Sequence, residues 1–255
     1  MRIKATVAYD GASFHGFATN PGVRTVGGEL SEALSRCLRQ VIKLTCAGRT
    51  DTGVHAQGQV VSFDVCDNNT ANNNLTTLRN SVNKMLAPTI AIREMSQASD
   101  TFDARLDAQS RTYRYTLLNS EVHDPLLANT TWHHPRPLDI TAMNEAAQHL
   151  LGEHDFSSFC RRQHSRDGTD KSRIRQLLRA QWADIGGELL QFEIEASSFC
   201  QQMVRSIVGT LIDIGTKRWP PETMSSILAA KNRSHASNLA PARGLCLWAV
   251  TYPQP

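Results

Sequence analysis

The chain has 255 residues, of which 40% are hydrophobic and 20% are charged. This composition is that of a folded globular protein and argues against a disordered chain. No apolar run reaches the roughly 18 to 20 residues that a membrane-spanning helix needs. The N-terminus alternates apolar and polar residues from the start, unlike a signal peptide. The sequence therefore predicts a cytoplasmic protein without a membrane anchor.

The formal net charge is only +3, which does not by itself indicate a nucleic-acid-binding protein. Basic residues are instead concentrated in one segment, where only Asp167 and Asp170 are acidic. The segment contains Arg161, Arg162, Arg166, Lys171, Arg173, Arg175 and Arg179. Such a cluster suits contacts with phosphates, although an isolated charged run is more often a solvated surface.

The six cysteines occur singly, without the spacing of a zinc site. They are Cys37, Cys46, Cys66, Cys160, Cys200 and Cys246. Cysteines of cytoplasmic proteins are usually reduced. We therefore expect six thiols, most of them buried, and nothing in the sequence indicates a metal or another cofactor.

The N-terminal part of the chain predicts the element order βαββαβ. Strands are expected over residues 2–9, 43–46, 61–65 and 90–95, from the alternation of apolar side chains. Thr25 is a candidate N-cap for the first helix, and the second follows Asn72-Asn73-Asn74 and stops before Pro88. The inner faces of the two helices are expected to carry Leu30, Leu34, Leu38 and Ile42, and Leu75, Leu78, Val82 and Met85.

The rest of the chain is predicted to repeat this layout. Strands are expected over residues 111–119, 177–182, 189–196 and 245–252, and helices over 140–151, 203–211 and 222–231. This is the order of the split βαβ, or ferredoxin-like, fold. We predict an α+β protein of two tandem RRM-like halves, residues 1–104 and 105–255. Each would have an antiparallel sheet with helices on one side, and a cleft between the halves would hold the active site.

The segment Gly48-Arg49-Thr50-Asp51-Thr52-Gly53-Val54-His55 places an Arg and an Asp between glycines at the end of a strand. Glycine lets a backbone approach a ligand closely. A carboxylate beside a guanidinium suits contact with a reacting carbon or a polar edge in a cleft. By itself, however, an Asp in such a loop is more often a turn former or a helix cap than a catalytic group.

This loop, continued to Val60, resembles the signature loop of the TruA family of tRNA pseudouridine synthases. Further segments resemble other family blocks, occur in the family order and span nearly the whole chain. They are residues 9–17, 102–105 with 110–115, 150–159, 198–209 and 240–245. Phe17-Ala18 stands where the family usually has Trp-Gln, and Gln201-Gln202 where it usually has His-His. These departures bear on RNA contacts and not on a predicted catalytic group.

The resemblance implies that Asp51 is the catalytic aspartate, that Tyr113 stacks on the target uracil, and that Arg205 pairs with the Asp51 carboxylate. It also implies substrate contacts by other residues of the signature loop, namely Arg49, Thr50, Gly53 and His55. The implied substrate is uridine at positions 38 to 40 of the tRNA anticodon arm. The resemblance also implies that the protein is a homodimer.

Each role has a physical reason. A stacked uracil must flip out of its helix at a cost of a few kcal/mol, and an aromatic face such as that of Tyr113 recovers part of this. When the bound base excludes water from a carboxylate, the pKa of the carboxyl group rises and it tends to take up a proton. A nearby guanidinium lowers this pKa and so opposes protonation. Asp51 either attacks C1′ of the ribose or removes a sugar proton. Tyr113 is a candidate base for the proton on C5 of uracil.

Three other interpretations remain open. A related synthase would act on another RNA. A non-catalytic RNA-binding module would use its sheets as platforms, although the aromatic pattern of such platforms is missing. A hydrolase would need a second carboxylate to activate water, for which Glu153 and Asp155 are candidates. The histidines His55, His133, His134 and His154 lack the spacing of a zinc-protease helix and are expected to be structural.

Overall fold

Ten strands and five α-helices make up the part of the chain that the computed structural model describes, residues 1–66, 74–162 and 172–253. Asn72, Asn73, Arg166 and Lys171, with the acidic residues Asp167 and Asp170, lie outside these ranges. The strand pairing is mostly antiparallel, and the protein is of the mixed α+β class, which confirms the expected class. The chain forms two compact units, Met1–Gln109 with Cys246–Pro255, and Ser110–Leu245. The division into domains 1–104 and 105–255 stays a prediction.

The first unit contains a sheet and two helices. Its strands are β1 (Arg2–Tyr9), β2 (Thr45–Cys46), β3 (His55–Asp64), β4 (Ile90–Ala98) and β10 (Leu245–Thr251), and its helices are α1 (Val26–Leu38) and α2 (Leu75–Leu86). Strand β1 lies between β4 and β3, and β2 pairs with β3, all antiparallel. Strand β10, which was expected to close the second half, pairs in parallel with the start of β3. Its assignment to the second half stays a prediction.

The two helices of the first unit follow from their sequence patterns. The Thr25 side chain accepts a hydrogen bond from the Gly28 N–H, which confirms the predicted N-cap. On α2 the prediction for Met85 was wrong, because Met85 is exposed and Leu86 is buried. A helical face turns by about 40° every four residues, so Leu86 continues the line of Leu78 and Val82.

The second unit contains five strands and three helices. Its strands are β5 (Ser110–Leu118), β6 (Trp132–His133), β7 (Gly152–Asp155), β8 (Ile174–Asp184) and β9 (Leu189–Ala196). Its helices are α3 (Ile140–Gln148), α4 (Met203–Gly215) and α5 (Thr223–Ala230). The order β5-β9-β8-β7 is antiparallel, and β6 pairs in parallel with β5. Helix α3 ends at Gln148, before the expected Leu151.

The two faces that β5 and β9 present in the second unit differ in chemistry. Tyr115, Leu117 and Phe192 alternate along β5 and β9 on a buried face. On the other face, the Glu193 carboxylate accepts from Arg114 and from Arg179, each at 2.8 Å. The guanidinium of Arg179, part of the predicted basic segment, is therefore engaged within the sheet.

The expectation of six thiols was wrong at two positions. Cys160 and Cys200 form a disulfide, with their Cα atoms 5.7 Å apart, which is usual for such a bond. Cys160 follows the 3₁₀ turn Ser157–Phe159, and Cys200 precedes α4. They are separated by 40 positions in the sequence, so no local spacing reveals the pair. Cys37, Cys46, Cys66 and Cys246 remain thiols.

Alkylation of the denatured, unreduced protein should label the four remaining cysteines but neither Cys160 nor Cys200. Reduction should make all six reactive and lower the free energy of unfolding by about 4 kcal/mol, because a closed loop of this length restricts the unfolded chain. Mass spectrometry and urea titration measure the two effects. A Cys160→Ser/Cys200→Ser variant should lose the same stability, whereas Cys37→Ser serves as a control. Labelling of all six cysteines without reduction contradicts the assignment.

Candidate active site

The loop that carries Asp51 connects β2 to β3 and lies on the turn that follows β1. Asp51 itself is half-buried, and Arg49 is exposed. The Phe17 N–H donates to the Thr50 carbonyl at 3.2 Å, and the Gly53 N–H donates to the Phe14 carbonyl at 3.3 Å. Asp51 is thus held between two backbone hydrogen bonds to the same turn.

Two glycines allow this close packing of backbone on backbone. Gly16 has a φ of +88°, and a Cβ there would lie 2.7 Å from the Thr50 carbonyl oxygen. A Cβ on Gly11 would overlap the carbonyl oxygen of Val54. An L side chain at Gly16 is excluded both by backbone conformation and by space. The turn and the Asp51 loop are therefore fitted to each other without intervening side chains.

Buried polar side chains hold the start of the loop from the sheet. The Tyr9 hydroxyl lies 2.8 Å from the Thr50 hydroxyl. Burial raises the pKa of Tyr9, so the phenol keeps its proton. The Gln59 side chain is fully buried. It donates to the Gly48 carbonyl at 2.6 Å and accepts from the Gly48 N–H at 3.4 Å.

Sequence reasoning assigned no supporting role to Tyr9 or Gln59, although a signal for Gln59 was present. The alternation that places Val61, Phe63 and Val65 on one face of β3 also places Gln59 on that face. A glutamine in a buried series needs hydrogen-bond partners, since an unpaired buried amide is costly. The partner it finds is the loop backbone at Gly48.

The other expected substrate-binding residues of the loop have contacts inside the first unit. His55 is buried, and its Nδ1 accepts from the Gly11 N–H at 3.1 Å and lies 3.1 Å from Asp10 Oδ1. Thr50 is also buried. These contacts stabilise the loop on its turn. Substrate contacts by Arg49, Thr50, Gly53 and His55 stay predictions.

In the second unit, Tyr113 lies on β5 and its ring packs against Phe199. The ring centroids are 5.1 Å apart and the planes meet at 86°. This edge-to-face arrangement is a favoured geometry for aromatic pairs. Phe199 precedes α4 and was part of a family-like block, but no role was assigned to it. Its contact fixes the plane of the ring predicted to stack on uracil.

Arg205 lies in the first turn of α4, where its Nε donates to the Ala240 carbonyl at 2.7 Å. In return, the Ala240 N–H donates to the Arg205 carbonyl at 3.1 Å. The guanidinium plane is therefore set by a backbone carbonyl far away in the sequence. The predicted pairing of Arg205 with Asp51 stays a prediction.

Residues 1–66, 74–162 and 172–253 contain no group of three His, Cys, Asp or Glu side chains that could hold a metal ion. Within the same ranges, no helix is both long enough and apolar enough to cross a membrane. Histidines of the second unit that were expected to be structural contact the backbone. His133 and His154 each have Nε2 within hydrogen-bond distance of a carbonyl oxygen, of Ser120 and Leu151 respectively.

Comparison with known proteins decides the family. A family model described as tRNA pseudouridine synthase matches residues 5–107 and 146–253, which include Asp51 and Arg205. The chain belongs to this family. Tyr113 lies between the two matched ranges. As a pseudouridine synthase the protein is an isomerase, and the family reaction rearranges a uridine of tRNA without adding or removing atoms overall.

Relatives with the name tRNA pseudouridine synthase A align along almost their whole length. The protein from Thermotoga sp. (strain RQ2) is 37% identical over 98% of this chain and 99% of its own. That from Geobacillus kaustophilus (strain HTA426) is 39% identical over 99% of this chain and 95% of its own. A solved structure described as the archaeal box H/ACA sRNP Nop10-Cbf5 complex has 13% identity and a TM-score of 0.34, over 82% of this chain and 44% of that chain.

Gln59→Leu should lower the free energy of unfolding by about 2 kcal/mol, because both backbone groups of Gly48 lose their buried partner. Urea titration followed by circular dichroism measures this effect. The matched control is Gln57→Leu, on the same strand but at a partly exposed position, and it should change stability by less than about 0.5 kcal/mol. Equal effects of the two substitutions would show that the Gly48 contacts contribute nothing.

Proposed function

We propose that this tRNA pseudouridine synthase isomerises uridines 38, 39 and 40 of the tRNA anticodon stem-loop, with Asp51 as its catalytic group. The observation that carries the proposal is the position of Asp51 on a loop fixed by backbone contacts, in a chain that belongs to the family. The proposed site of action is the cytoplasm, and the proposed active form is a homodimer.

The reaction breaks the bond between C1′ and N1, turns the uracil, and joins C1′ to C5. The proton on C5 then leaves to a base, and N1 gains a proton, so the atoms of the nucleotide balance. Asp51 starts the reaction as a carboxylate, either by attack on C1′ or by removal of a sugar proton. A loop held by its own backbone presents this carboxylate in one geometry, which reduces reorganisation during the reaction.

Tyr113 is proposed to stack on the extruded uracil. Its contact with Phe199 supports this, because a ring already held in one plane loses little conformational entropy when a base stacks on it. Arg205 is proposed to keep the Asp51 carboxylate ionised after the bound base has excluded water. A planar guanidinium suits this role because it can donate two parallel hydrogen bonds to one carboxylate.

Release of tritium from C5-labelled uridine in tRNA transcripts tests the proposal. Wild-type protein should release label from positions 38 to 40, and Asp51→Asn should be slower by roughly 10⁴-fold or more, as expected when a group essential to the chemistry is removed. The control is Asp64→Asn, which removes an exposed carboxylate of the same unit that pairs with Arg2. This variant should retain wild-type activity.

The same assay separates the alternatives. Label released only from other RNAs would favour a related synthase, and free uracil would favour a hydrolase. Binding of tRNA without release of label would favour a non-catalytic module. Undiminished release by Asp51→Asn would remove that residue from the mechanism.

The homodimer is tested by light scattering across a range of protein concentrations. We expect twice the mass of the chain throughout the range in which the enzyme is active. Full activity of a protein with the mass of a single chain would rule out a dimer as the required form.

A further inference from the structure

Tyr115 makes a buried hydrogen bond to the segment that holds Arg205. It lies on β5, two residues after Tyr113, and its side chain is fully buried. Its hydroxyl donates to the Pro241 carbonyl at 2.9 Å. Burial raises the pKa of Tyr115, so this phenol is a proton donor throughout the neutral range.

The residue before Pro241 is the one that fixes Arg205. Ala240 accepts from Arg205 Nε and donates to the Arg205 carbonyl, so the two residues are joined by a pair of hydrogen bonds. The five N–H groups of a guanidinium lie in one rigid plane. Fixing Nε to a carbonyl therefore also restricts where the terminal nitrogens point.

The same segment is attached to α4 at its other end. The Ser237 hydroxyl donates to the Asp213 carboxylate at 2.5 Å, and the Ser237 N–H donates to the Thr210 hydroxyl at 3.3 Å. A Cβ on Gly209 would overlap the carbonyl oxygen of Asn238. Residues 237 and 238 are thus held by the helix, whereas Pro241 is held by β5 through Tyr115. Ala240 lies between these two attachments.

We propose that Tyr115 is a positioning residue, which acts through Pro241 and Ala240 to set the plane of the Arg205 guanidinium. The inference rests on the proposed function, because it matters to the reaction only if Arg205 supports the Asp51 carboxylate. Packing alone would be met by phenylalanine, since the contact of the Tyr115 ring with Trp132, at 6.3 Å between centroids, does not need the hydroxyl. The hydroxyl is needed for the bond to Pro241.

The test compares Tyr115→Phe with Tyr252→Phe. The second variant is a matched control, because the Tyr252 hydroxyl also donates to a backbone carbonyl, that of Ala104 in the first unit. In the tritium-release assay, Tyr115→Phe should lower kcat roughly tenfold and leave KM for tRNA within about twofold, since a mispositioned group slows the chemistry more than binding. Tyr252→Phe should leave both parameters within about twofold of wild type.

A double variant shows whether the effect of Tyr115→Phe on kcat depends on Arg205. Arg205→Lys keeps the positive charge but has no planar guanidinium for Ala240 to orient. In this background Tyr115→Phe should have no further effect on kcat. Hydrogen exchange of the Ala240 N–H, measured by NMR, should be at least about tenfold faster in Tyr115→Phe and unchanged in Tyr252→Phe.

Three results would overturn the inference while leaving the proposed function intact. The first is a kcat of Tyr115→Phe equal to that of an active wild type. The second is that Tyr115→Phe lowers kcat by the same factor in the Arg205→Lys background as in the wild type. The third is an unchanged rate of hydrogen exchange at the Ala240 N–H. Wild-type protein that releases no tritium from tRNA refutes the proposed function instead, and with it the role of Arg205.

Discussion

The packing of one backbone directly on another, between the Asp51 loop and the turn after β1, is the constraint on which the candidate site depends. Hydrogen bonds from Phe17 and Gly53 join the two segments on either side of Asp51, and Gly16 leaves no room for a Cβ. The two sequence blocks that resemble family motifs around Gly16 and Asp51 are therefore halves of one structure. The turn therefore contributes to the position of Asp51 through backbone contacts.

In the second unit, side chains that are proposed to support the reaction are fixed by the same principle with different groups. Arg205 and Tyr115 both donate to backbone carbonyls of one short segment, at Ala240 and Pro241. In the first unit Gln59 does the same for Gly48. Buried donors and acceptors are costly to leave unpaired, so each of these bonds selects one conformation. Polar groups ordered before substrate arrives suit a reaction that depends on pre-oriented charge.

Sequence patterns predicted the elements whose periodicity is long enough to read. Strand β9 lies where expected, and helix α1 follows its predicted Thr25 cap but ends at Leu38, before the expected Ile42. Strands β6 and β7 were missed, since two and four residues show little alternation, whereas the equally short β2 was expected within residues 43–46. The site divides in the same way. The role of Asp51 was predicted from the resemblance of its loop to the family motif and stays a prediction. For Gln59 a signal was present in the alternation of buried residues along its strand. The bond between Arg205 and Ala240 joins distant segments and has no local signature.

The residues between β9 and α4, which include the departure at Gln201-Gln202, show how the start of the helix that carries Arg205 is held. Within this stretch, Cys200 is bonded to Cys160, and the Arg161 N–H donates to the Gln201 carbonyl at 3.0 Å. The Met203 N–H donates to the Cys200 carbonyl at 3.2 Å. These ties act on the backbone, or on Cys200, and do not need particular side chains at positions 201 and 202. The start of α4, and hence the origin of the Arg205 side chain, is therefore held by backbone hydrogen bonds and by Cys200.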